Sequence, residues 1–81
     1  MNDETHKLAI KFLADALEID AASAATASLG ETRGWDSIGH MRLILAIEEL
    51  IGTTLEPEAI VSLATVDDVA RVLEAGLQPP G

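Results

Sequence analysis

The chain has 81 residues, a formal net charge of −9 and an apolar fraction of 48%, which allows one small domain with a single core and excludes global disorder. It has no cysteine, five basic residues and, in Phe12 and Trp35, its only aromatic side chains; disulfides, thiolate metal sites and a cysteine nucleophile are excluded, and a nucleic-acid surface is not expected. So acidic a chain repels nucleic acid and anionic lipid and attracts basic partners, and with no targeting segment and no apolar run near the roughly 18 residues of a membrane span, a cytoplasmic protein is expected.

The first helix is predicted from about Glu4 to Ile19. Lys7, Lys11, Asp15 and Glu18 fall on one polar stripe, while Leu8, Phe12 and Ala16, with Leu13 and Leu17 beside them, lie on another side. Asn2 or Asp3 can cap it. A short helical turn is expected near Asp20–Ala24, where alanine favours helix and Ser23, Thr26 and Ser28 compete for the backbone. Gly30 and Gly34 then break the pattern and leave a long loop, of the kind that usually has a function, with Leu29 as its expected anchor in the core. The second long helix is predicted from Ser37 to Ile51, about 22 Å, with Gly52 as its stop signal. Leu43, Ile47, Leu50 and Ile51 make its core face. Ile38, Met41 and Leu45 make a separate apolar row, which in so small a chain points to a surface left for a partner. Pro57 opens a short helix carrying Ile60 and Val61. Thr65 and Asp68 form a capping pair for a last helix from Val66 to about Ala75, with Val66, Val69, Ala70 and Leu73 buried and Gly76 as its end. No stretch alternates at period two. The expected fold is all-α, a four-helix bundle of three longer helices and one short one over 1–76, with a tail at 77–81.

Gly34-Trp35-Asp36-Ser37-Ile38 is the one segment that does not read as routine packing. It sets a serine at the start of a strongly predicted helix, where the first N–H groups lack partners and the helix dipole favours a negative group such as a phosphate ester. Asp36 beside it can help hold a divalent cation while such an ester forms. On the dipeptide alone the plainer meaning prevails, because Asp and Ser are both ordinary helix caps.

The surrounding pattern shifts that balance. Asp36-Ser37-Ile38 resembles the Asp-Ser-Leu attachment motif of the acyl carrier protein family. Ala27-Ser28-Leu29 resembles the family's first-loop anchor, Leu43, Ala46, Ile47, Glu48 and Glu49 its second helix, and Thr65-Val66 the start of its last. From Ala27 to Val66 the resemblance needs no gaps. It implies an acyl-carrier-type bundle and a protein that is not an enzyme. A phosphopantetheinyl transferase would attach 4′-phosphopantetheine from coenzyme A to Ser37, with Asp36 assisting. The arm would carry an acyl or aminoacyl group as a thioester, a role a cysteine-free chain fills only with a borrowed thiol. The resemblance also implies that Ile38, Met41, Leu45, Glu48 and Glu49 face partner enzymes: the transferase, an acyl- or aminoacyl-loading enzyme, and synthases or transferases with basic patches. Fatty acid or polyketide biosynthesis is the expected setting, and a monomer the expected state.

Gly39 and Arg42 stand where housekeeping fatty-acid carriers usually have acids, and His40 where they have a small polar residue. Arg33 replaces a common leucine and Trp35 a small residue. The run Trp35-Asp36-Ser37-Ile38-Gly39-His40-Met41 looks more like stand-alone carriers of specialised pathways, and Met1 and the short tail favour a discrete protein. Trp35 is expected to anchor the loop against the bundle. The same residues admit two other readings. A Ser37–His40 nucleophile pair lacks an orienting acid and an oxyanion hole in the sequence, which leaves His40 as a partly exposed helix residue. An acidic helical adaptor without a prosthetic group would keep Ser37 as a plain cap. No metal site is expected: Asp3, Glu4 and His6 lie at a chain end, and no calcium loop is present.

Overall fold

The structure, a computed structural model, describes residues 3–77. These form α1 (Asp3–Leu17), α2 (Ala21–Ala25), α3 (Ser37–Ile51), α4 (Pro57–Ser62) and α5 (Val66–Leu77), with no strand among the described residues. The all-α expectation holds, and the short turn after α1 is a helix in its own right. Of the tail expected at 77–81, Leu77 belongs to α5; residues 78–81 and the cap at Asn2 lie outside the described residues.

α1 packs against both α3 and α5, and α2 folds back against α1. Ala9, Leu13, Ala16 and Leu17 of α1 meet Leu43 and Ile47 of α3 and Val66, Val69, Ala70 and Leu73 of α5 in one core. The two alanines of α1 in this set leave room for close approach. The sequence pattern placed Leu13, Ala16 and Leu17 correctly. It gave Leu8 and Phe12 equal weight, but they sit half-buried at the core's margin.

α1 ends at Leu17, two residues earlier than expected. Glu18 adopts a left-handed conformation, φ 56°, and the Ile19 N–H closes back on the Ala14 carbonyl at 3.1 Å, the chain reversal usually built with glycine. Asp20 then caps α2, accepting from the Ser23 N–H at 2.8 Å. Hydrogen bonding from Ser23, first from its side chain and then from its backbone, holds the Asp20 carboxyl below its ordinary value of 3.8.

The long loop is anchored differently from the expectation. Leu29 is 39% exposed. Its backbone makes the attachment instead: its N–H donates to the Ala64 carbonyl at 2.8 Å, and Ser28 pairs with Thr65 in a single antiparallel bridge. The side chains that enter the core are the small Ala27 and the large Trp35, the latter 1% exposed. Trp35 therefore has the anchoring role expected of it.

α3 has the predicted bounds, and Gly52 ends it with φ 76° and an N–H donated to the Glu48 carbonyl. Its core face is Leu43 and Ile47, with Ile51 half-buried. Leu50 is a correction. It is exposed and, with Phe12 of α1, Ala46 and Glu49, lines a groove between α1 and α3 that leaves it uncovered. α4 starts at Pro57 as expected and contains no buried residue. At α5, Thr65 and Asp68 form the reciprocal cap: the Thr65 N–H donates to Asp68 Oδ2 at 3.0 Å and the Asp68 N–H to Thr65 Oγ1 at 3.3 Å. α5 does not stop at Gly76 but runs through it to Leu77. A Cβ at Gly76 would come within 2.7 Å of Ile51 Cγ2, so this glycine serves helix contact rather than termination.

Candidate functional site

The site is the junction between the long loop and α3. Asp36 has extended backbone and caps the helix, its Oδ1 accepting from the Gly39 N–H at 3.0 Å, while its carbonyl accepts from the His40 N–H at 2.8 Å. Ser37 is the first helical residue, and it is exposed. Asp36 thus does the capping that the sequence left shared between the two, and the Ser37 hydroxyl is spared that duty. The open end of a fifteen-residue helix offers N–H groups and a positive dipole end to an anion on that hydroxyl.

The tight entry into α3 explains Gly39. It is buried, and a Cβ there would overlap the Gly34 carbonyl oxygen and lie 2.8 Å from Leu17 Cδ2. Gly34 itself has φ 91°, a conformation glycine adopts at low cost. The first turn of α3 therefore sits directly on the loop and the end of α1, and no acid fits at this position.

Ile38, Met41 and Leu45 form a continuous exposed apolar row running from Ser37 along α3, at 65%, 62% and 58% exposure. Glu49 continues it at the surface. Glu48 is half-buried, and its Oε2 accepts from the Leu55 N–H at 2.8 Å, which ties the α3–α4 connector to the helix. Arg42 turns to Glu18 at the end of α1, Nη1 to Oε2 3.3 Å.

Sequence reasoning missed one constellation. The Trp35 Nε1–H donates to His40 Nδ1 at 3.0 Å, and His40 Nε2 lies 3.1 Å from the Ile60 carbonyl oxygen of α4. The signal was available in principle: a buried indole N–H needs an acceptor, and His40 is five residues away. With both ring nitrogens engaged, His40 does not serve Ser37 as a base. Among the described residues there is no cluster of metal-ligating side chains, and Asp3, Glu4 and His6 are not brought together as one. His6 faces Asp67 of α5, Nδ1 to Oδ1 3.7 Å.

Residues 9–73 match the family model for the phosphopantetheine attachment site. The chain belongs to this family. Members carry a covalently attached 4′-phosphopantetheine group, act as carriers that are typically non-catalytic, and work with phosphopantetheinyl transferases and synthase enzymes. A search of curated proteins gives no match. The carrier's helical fold agrees with this membership, and no helix among its described residues is long and apolar enough to cross a membrane. The exposed, uncommitted hydroxyl at a helix tip suits an arm joined through a phosphate ester.

Proposed function

We propose that this carrier bears its 4′-phosphopantetheine on the Ser37 oxygen and delivers acyl or aminoacyl groups, held as thioesters, to partner enzymes. The observation that carries the reading is the exposure of Ser37 as first residue of α3 behind a separate cap. The Ser37 hydroxyl is free to attack the pantetheine-bearing phosphorus of coenzyme A. An oxygen–phosphorus bond forms, the pyrophosphate bond breaks, 3′,5′-adenosine bisphosphate leaves, and the hydroxyl proton passes to the transferase or to water. First-turn N–H groups stabilise the new phosphate diester. Asp36 uses one oxygen on Gly39 and offers the other to the divalent cation of the loading reaction. The arm supplies a terminal thiol, a group the chain itself lacks.

The partner surface we propose is Ile38, Met41, Leu45 and Glu49, with Glu48 contributing from its side. A transferase, a loading enzyme, and synthases or acyltransferases with basic patches would read it. Gly39 and Arg42 leave the first half of α3 without acidic side chains, which favours a specialised pathway over housekeeping fatty-acid synthesis. Residues 1–76 serve as the carrier domain in this reading, as a monomer.

The test is incubation with coenzyme A, Mg²⁺ and a broad-specificity phosphopantetheinyl transferase, followed by intact mass spectrometry. A gain of one phosphopantetheinyl group, lost in Ser37→Ala, is expected. No gain while a control carrier is loaded in the same tube would overturn the reading and leave an acidic adaptor.

A further inference from the structure

The Trp35–His40–Ile60 contact has a protonation requirement. An indole N–H only donates and a carbonyl oxygen only accepts. His40 Nδ1 must therefore offer a lone pair to Trp35, and Nε2 must carry the hydrogen that reaches Ile60. One neutral tautomer satisfies both contacts. The imidazolium satisfies only Ile60, and sets Nδ1–H against the Trp35 N–H across 3.0 Å.

What the ring joins gives this requirement a consequence. Trp35 is the residue before Asp36 and the buried anchor of the loop. Ile60 belongs to α4, which has no buried residue of its own. We propose that His40 is a proton-operated coupling: neutral, it ties α4 to the loop that presents Ser37; protonated, it releases one from the other. Imidazole is the side chain suited to such a change near neutral pH. The ionisable residues on the segments meeting at the ring are Glu31, Arg33 and Asp36 in the loop, Arg42, Glu48 and Glu49 on α3, and Glu56 and Glu58 at the start of α4, with Glu18 at the end of α1. Glu18 and Arg42 pair with one another, Asp36 holds the Gly39 N–H, and both His40 nitrogens are taken by uncharged partners. The bridged state thus holds one proton fewer than the released state, and acid drains it. The coupling stands whether or not Ser37 is the attachment site.

The chain contains one tryptophan and two histidines, so the test is cleanly assignable. The Trp35 indole N–H resonance is followed in ¹⁵N-labelled protein from about pH 8 to about pH 5, together with amide hydrogen exchange of the loop at Gly30 and Trp35, corrected for its intrinsic pH dependence. The indole signal should titrate, and loop exchange should accelerate roughly fivefold over the same range, as expected for one lost hydrogen bond, while α4, still bonded through His40 Nε2, should not lose protection. His40→Leu should give fast loop exchange at every pH. Trp35→Phe, which removes the demand for a lone pair, should make loop exchange independent of pH. His6→Gln should change none of this. The proposal fails if loop protection in the native chain ignores pH, if Trp35→Phe leaves its pH dependence intact, or if the titration disappears with His6.

Discussion

Ser37 begins α3 while Asp36 caps it, and that division of labour sets what each substitution does. Ser37→Ala removes no cap and installs a better helix former, so its stability should stay within about 0.5 kcal/mol of the parent, while loading is abolished. Asp36→Ala should cost about 1 kcal/mol through the lost bond to Gly39. Urea denaturation and intact mass together separate the two effects. Gly39→Ala is the more damaging change, because its methyl group would meet a backbone carbonyl and Leu17. A loss of at least about 1–3 kcal/mol is expected in the same denaturation assay. Gly39→Asp, which restores the acid of fatty-acid carriers, should be no milder. The departure from that pattern is thus tied to a packing constraint, and Arg42, drawn toward Glu18, is the second such departure.

At the level of elements, the helix ends are where residue type and conformation disagree. Glu18 holds a left-handed conformation that costs a residue with a side chain roughly 1–2 kcal/mol. Its ion pair with Arg42 is exposed on both sides and returns less than that. Glu18→Gly should therefore raise stability by up to about 1 kcal/mol, seen as a higher denaturation midpoint with an unchanged slope. The start of α2 has a pH signature. The Asp20 carboxyl is held below 3.8 by Ser23, so the folded state favours its charged form. That contribution is complete above the unfolded-state value and is lost as pH falls through the lower folded value. Acid titration of the chain below about pH 4 should show less loss of stability in Asp20→Asn than in the parent, read by thermal denaturation at each pH.

At the scale of the whole molecule, a net charge of −9 on 81 residues acts in two directions. Self-repulsion opposes the compact state, and the same field draws in basic partners. Raising the ionic strength from about 0.01 M to about 0.15 M shortens the screening length from about 30 Å to about 8 Å. The free chain should then melt at a higher temperature, and association with the transferase should slow; both are measurable by scanning calorimetry and stopped flow. The reach of the sequence also becomes clear at this scale. Helix periodicity, Pro57, Gly52 and the Thr65–Asp68 pair were legible in one dimension, because each depends on neighbours within about one turn. So was the exposed apolar row of α3, since Ile38, Met41 and Leu45 fall on one face of the helix and Leu43 and Ile47 on another. Leu29, Leu50 and Gly76 were misread, because their surroundings are set by segments far away in the chain: Ala64 takes the loop's backbone, the groove beside Phe12 leaves Leu50 open, and Ile51 presses on Gly76. The bond from Trp35 through His40 to Ile60 belongs to the same class. Local order follows from backbone geometry and short-range spacing, which a sequence carries in full; which polar group meets which, and which apolar side chain goes uncovered, follows from the packing of whole helices, and only the folded chain decides it.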